Sequence, residues 1–259
     1  MSDRPWRPYC GPGPTPGELL GRWNLDPVLL ASLVGLAVVL WSATRGAPRR
    51  RRWALAALTL LIVTFVSPLC ALSSALFAAR TAHHILLVAL AAPLLALSCP
   101  PARAKLPLSA LTVLHIAILW AWHIPAAYSA ALADTLVYAA MQVTLLGSAV
   151  LFWRAAWAAR PWPGAFAFTA AMMQMGLLGA LITLAPFALY APHLATTAAW
   201  GLSPLEDQQL AGLIMWIPAG GIYLAAAIAS ARRALVSPRP TEAKPLAAGT
   251  FARPAIDEG

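Results

Sequence analysis

From Pro27 onward the chain alternates long apolar runs with short polar stretches. Seven runs lie near 27–44, 53–72, 81–99, 107–123, 132–153, 165–190 and 209–231, each about the ~20 residues that a membrane-spanning helix needs. The pattern predicts an all-α, polytopic membrane protein built as a seven-helix transmembrane bundle over 27–231. Trp23 suits the headgroup level, Asp26 can cap the first helix, and Pro27 and Pro107 suit first helical turns. Pro93, Pro186 and Pro218 fall inside runs, where each frees a backbone carbonyl and permits a kink. Gly176, Gly179, Gly220 and Gly221 are small residues of the kind that let membrane helices approach closely. Residues 1–26 read as a Pro-rich extracytoplasmic arm, and residues 232–259 as a disordered cytoplasmic tail.

Charge fixes an expected orientation. The stretches after the first, third, fifth and seventh runs hold 14 of the 18 Lys and Arg, among them Arg49, Arg50, Arg103, Lys105, Arg154 and Arg233. The stretches after the fourth and sixth runs hold none. The positive-inside rule then places the N-terminus outside and the C-terminus in the cytoplasm of a bacterial inner (plasma) membrane. Composition agrees: 60% of residues are hydrophobic and only 10% charged, against about 25% charged in soluble domains. The net charge of +9 does not point to nucleic acid, because the cations are clustered between apolar runs rather than spread over one soluble face. No short apolar segment with a small-residue cleavage site opens the chain, so the first run is expected to stay in the membrane.

Cys10, Cys70 and Cys99 are an odd, scattered set. They are expected to be inert thiols among small apolar neighbours, with a Cys10–Cys70 bridge as the alternative.

In this topology the outer end collects unusual side chains. Arg80, His83 and His84 open the third run, and His123 closes the fourth. His193 follows the sixth, and Glu206, Asp207, Gln208 and Gln209 open the seventh. His115 lies eight residues before His123, about 12 Å deeper at ~1.5 Å per residue, and is expected to bond a neighbouring helix. Polar groups at membrane depth are costly and are usually kept for a partner or a task. Imidazole with carboxylate suits Cu(II), Zn(II) or haem iron, and thioether with imidazole suits Cu(I). The candidate metal ligands are His83, His84, His123, His193 and Asp207. Met172, Met173, Met175 and Met215 are expected to pack rather than ligate. Asp207 is expected to cap the seventh helix, and Arg80 either anchors at the interface or holds an anion or Asp207.

Two stretches carry a resemblance: Ser203-Pro-Leu-Glu-Asp-Gln-Gln-Leu-Ala-Gly-Leu-Ile-Met-Trp216 and Trp122-His-Ile-Pro-Ala-Ala-Tyr128. His84-Ile-Leu-Leu, Ala92-Pro-Leu-Leu and Ser67-Pro-Leu support it. Over about Trp23 to Ser230 the chain resembles the CtaG family of seven-spanning proteins, which serve assembly of haem–copper cytochrome c oxidase. The resemblance implies copper as cargo and nascent oxidase subunits as partners; no nucleophile–base pair or redox-cofactor motif in the sequence asks for enzyme activity. In the family's pattern two His stand four residues apart on one helix face. Here His84 fills the second position, Arg80 stands at the first, and His83 replaces a Gln. Either His83 substitutes from a different angle, or copper is held weakly or not at all.

Three readings follow. An assembly factor would pass copper to, or stabilise, a nascent oxidase subunit at the outer face. A b-type haem protein would grip haem iron between two His from different helices. A transporter of a small solute or proton would place His115 in its path, although no inverted repeat supports it.

Overall fold

The computed structural model describes residues 8–100 and 106–236. The cations Arg103 and Lys105, the first residues of the arm and the predicted tail from residue 237 lie outside the described residues. Most of those described are helical, with no strand among them. The helices are α1 (Pro27–Ala43), α2 (Pro48–Val66), α3 (Leu69–Ala75), α4 (Phe77–Ser98), α5 (Leu108–His123), α6 (Pro125–Ala133), α7 (Thr135–Ala158), α8 (Pro161–Leu184) and α9 (Pro204–Val236).

Four of them, α4, α7, α8 and α9, are long and apolar enough to cross a membrane alone. The pairs α2–α3 and α5–α6 bend by 47° and 74° and are long and apolar enough only when each pair is taken together, which gives up to six spans. The one remaining expected span, the first, is α1, which is shorter at 17 residues. Asp26 caps it as anticipated, accepting the Leu29 N–H at 2.8 Å. Both bends follow from proline: Ser67 and Ile124 take extended conformations before Pro68 and Pro125, as residues preceding proline tend to. Pro186, expected inside a span, lies beyond the end of α8, and Pro107 sits at the N-cap of α5 rather than in its first turn.

The bundle is apolar outside, and its strongly polar side chains lie inside, set within an apolar core. Val34, Val143, Phe166 and Ile217 are each more than 60% exposed, whereas Arg80, His83, His115 and Asp207 are at most 1% exposed. A water-facing surface rarely carries so much contiguous hydrocarbon; a bilayer-facing one requires it. His115, as expected, bonds neighbouring helices, with Ser148 Oγ at 3.3 Å and Tyr223 OH at 3.0 Å. Met175 and Met215 are buried as packing residues, while Met173 faces outward.

Of the glycines singled out in the sequence, Gly179 sits at a tight helix contact, and its partner is Gly212. A Cβ added at Gly179 would lie 2.8 Å from the Gly212 carbonyl oxygen, and one at Gly212 would meet Gly179 in return. Backbone thus faces backbone where α8 crosses α9. Gly221 has open space around it and plays no such part.

Proline also explains a break inside α4. Leu86–Ala91 is π-helical, and the Ala92 N–H reaches back to the Leu87 carbonyl. The next bond in that register would run from residue 93 to Val88, but Pro93 has no N–H. The indole of Trp153, on α7, donates to the Val88 carbonyl instead, at 2.9 Å.

The two ends of the bundle differ. At one end the arm is tied down: Cys10 and Cys70 form a disulfide, Asn24 donates to the Phe65 carbonyl, and Trp200 to that of Pro14. The expectation of free thiols at these two positions is therefore corrected. Their Cα atoms lie 5.4 Å apart, because the arm folds back over the α2–α3 corner. Cys99 is the free cysteine among the described residues. At the opposite end the starts of α2 and the finishes of α4, α7 and α9 bring Arg49, Arg50, Arg154 and Arg233 together.

Candidate functional site

The arm-covered end holds every His except His115. Arg80, His83 and His84 stand at i, i+3 and i+4 on α4, which sets them on one face. That face turns into the bundle, and all three are buried.

The Arg80 guanidinium donates from Nε to the Ser73 carbonyl and from Nη1 to Tyr138 OH, each at 3.2 Å. It neither snorkels nor pairs with Asp207. Its Nη2 has no partner among the described residues. The arm closes over this group: Tyr9 stacks on Tyr138 at 5.1 Å, and the disulfide holds Cys10 beside them. Burial beneath the bundle end pushes the Tyr9 hydroxyl up to about 12.

His83 has no hydrogen-bond partner at either ring nitrogen and meets Phe65 edge-on at 5.0 Å. Its ring centre is 5.7 Å from that of His84, which in turn lies 6.3 Å from that of His123. His123 closes α5, and its Nδ1 faces the Leu119 carbonyl at 2.7 Å. A carbonyl only accepts, so Nδ1 carries the proton and Nε2 keeps a lone pair. Gln142 Nε2 approaches His84 Nε2 at 3.5 Å, while Gln142 Oε1 is buried and unpartnered. Ser74 and Thr81 hydroxyls are likewise unpartnered and buried. Buried polar groups in proteins are almost always satisfied, so this cluster demands water or a bound species.

The other two candidate ligands are engaged elsewhere. His193 Nε2 stands 2.6 Å from Tyr128 OH, inside a box formed with Phe77 and Tyr190. Burial first, then the Arg80 cation, pushes His193 down to about 3, so it is neutral there. Asp207 does not cap its own helix. Ser203 and Glu206 form the capping box of α9, and Asp207 accepts the Phe77 and Ala78 N–H groups of α4 at 2.7 and 3.1 Å. Gln208 also bridges, accepting the Leu189 N–H at 2.6 Å and donating to the Ile182 and Phe187 carbonyls. Among the described residues no three His, Cys, Asp or Glu side chains converge closely enough to share a metal ion.

The sequence pointed to His83, His84, His123, His193 and Asp207 as one group; the structure brings the first three near one another and engages His193 with Tyr128 and Asp207 with the start of α4. It missed Tyr138, Gln142 and the closing of the arm over this group. Tyr138 and Gln142 did leave a signal: two hydrogen-bonding groups four residues apart on an otherwise apolar run.

Two imidazoles on one ion, with metal–nitrogen bonds of ~2.0 Å, place their ring centres roughly 5–6.5 Å apart. His84 with His123 and His83 with His84 both fall in that interval. These separations are of the size that two imidazoles on one ion have, and Arg80 places a cation on the same helix face.

A sequence model described as cytochrome c oxidase caa3 assembly factor (Caa3_CtaG) matches residues 33–237. No curated protein and no solved structure matches the chain.

Proposed function

Since the chain belongs to the cytochrome c oxidase caa3 assembly factor family, we propose that it handles copper for a nascent haem–copper oxidase through His84 and His123. The carrying observation is the 6.3 Å separation of these two rings, which come from different helices. A third ligand is lacking among the described residues and a guanidinium lies on the same face, so any ion is held loosely. Loose, incomplete coordination suits a protein that gives its cargo away. His83, with both nitrogens unpartnered, supplies a second stop next to His84. Copper here is cargo, and the protein is not an enzyme.

We assign the site to the periplasmic face of the bacterial inner membrane. The Cys10–Cys70 bridge supports this, since disulfides persist in oxidising compartments. The gathering of Arg49, Arg50, Arg154 and Arg233 at the opposite end supports a cytoplasmic location there. This reading takes α1 and both bent pairs as spans, which gives seven, with the N-terminus outside and the C-terminus inside.

The test is copper analysis of the purified protein after Cu(I) loading. The unaltered protein is expected to retain about one copper, and His84→Ala with His123→Ala to retain none. Unchanged stoichiometry would remove both residues from the proposal. The same spacing admits two axial imidazoles on haem iron, so a Soret band in the purified protein would move the assignment to a b-type haem protein. In cells lacking the protein, the oxidase is expected to lose copper and keep haem.

A further inference from the structure

We infer that the basic end of the bundle carries a site for an anionic phospholipid, gripped by its phosphate. A cavity of about 390 Å³ lies between the start of α2, the end of α4 and the end of α7. That volume is in the range of sites for small ligands, roughly 300–1,000 Å³. Arg49, Arg50 and Arg154 bring three guanidinium groups to it, and none of its lining residues is acidic. Guanidinium forks match phosphate oxygens two at a time.

Three further observations converge. The ring of Trp157 lines the cavity, while its Nε1 is buried away from solvent with no partner among the described residues. Its backbone is held in place, because Arg233 Nη1 donates to the Trp157 carbonyl at 3.0 Å. Arg154 keeps donors to spare after Nη2 bonds the Pro100 carbonyl at 3.2 Å. Finally, α2 begins with Arg49 to Arg52 in its first turns, without an acid. Cations at the positive end of a helix repel its dipole, and a bound anion reverses that cost.

The surroundings select a lipid over a free phosphate ion. Trp53, Trp157 and Leu97 form an apolar wall beside the arginines, and Leu97 is 41% exposed on the bundle's outer surface. A headgroup can sit among the guanidiniums while its acyl chains continue along that wall. Basic pockets between spanning helices bind anionic headgroups in this manner, and tryptophan sits at the same level of a bilayer.

Native mass spectrometry of the full-length protein, released from neutral detergent micelles, tests the site. With phosphatidylglycerol added, one lipid adduct per protein is expected, and phosphatidylcholine at the same concentration should give far less. Arg50→Gln with Arg154→Gln is expected to weaken the adduct roughly thirty-fold, the loss expected for two cations near the headgroups. Arg45→Gln, outside the cavity and ahead of α2, should leave it intact. Leu97→Trp keeps every charge and obstructs the cavity, so it should also abolish the adduct if the double arginine variant fails to fold. Equal uptake of phosphatidylcholine, or an adduct that survives in both cavity variants, would overturn the site. Displacement of the lipid by inorganic phosphate at equal concentration would overturn the lipid assignment.

Discussion

The carboxylate of Asp207 accepts the backbone N–H of Phe77 at 2.7 Å, across 130 residues of sequence. Together with the bond from Ala78 it satisfies the opening turn of α4, the helix that carries Arg80, His83 and His84. One side chain on α9 therefore sets where those groups begin. Asp207→Ala strands two buried donors and is expected to cost about 1–3 kcal/mol of stability. Asp207→Asn keeps one acceptor oxygen and should cost less. Denaturation in mild detergent followed by circular dichroism measures both. An unchanged midpoint with lost copper would instead assign Asp207 to the metal.

The Cys10–Cys70 bridge closes a separation of 60 residues. Its removal in Cys10→Ser is expected to destabilise the protein by about 2–5 kcal/mol, and reductant should do the same to the unaltered chain. The variant should also uncover Tyr138, since the bridge holds the arm that brings Tyr9 onto it. Protease cutting within the arm, compared with and without reductant, reads the second effect. Equal cutting under both conditions would show that the bridge does not hold the arm.

His193 titrates near 3 in the folded protein, against an ordinary value of 6.5. Above 6.5 both folded and unfolded chains hold it neutral, so it adds no pH dependence there. Below 6.5 the unfolded chain takes up a proton that the folded one refuses. Stability should then fall by about 1.4 kcal/mol per pH unit on its account as pH drops from 6.5 toward 3. His193→Gln should flatten this slope while leaving stability at pH 8 less affected. Unfolding free energies across that pH interval decide it; a parallel slope in the variant would assign the loss to another group.

Much of the bundle was legible because hydrocarbon runs and cation clusters are imposed by the bilayer itself. Every expected span has a helix in its place, from Pro27–Ala43 to Pro204–Val236. The bends at Pro68 and Pro125 were not foreseen, although the prolines were visible, because run length alone does not reveal a corner. The imidazole group was legible because histidine is conspicuous in an apolar background. The role of Asp207 was not: its partner is a helix start far away in sequence, and capping was sought locally. The disulfide was named only as the alternative to free thiols for a similar reason. Cysteine spacing says nothing until an arm without helical periodicity is seen to fold back on α2 and α3.

The bond from Trp153 to the Val88 carbonyl has a bearing on biogenesis. A helix normally enters lipid with its main chain already self-sufficient. The strand of carbonyls before Pro93 does not: one of them borrows its donor from a neighbour synthesised some 65 residues later. Until that neighbour arrives, α4 has an open valence at membrane depth, and a solitary α4 is an unfinished object. The bundle is thus stitched together by a debt of one hydrogen bond as well as by packing, and the segment bearing the histidines reaches its final form only once α7 is beside it.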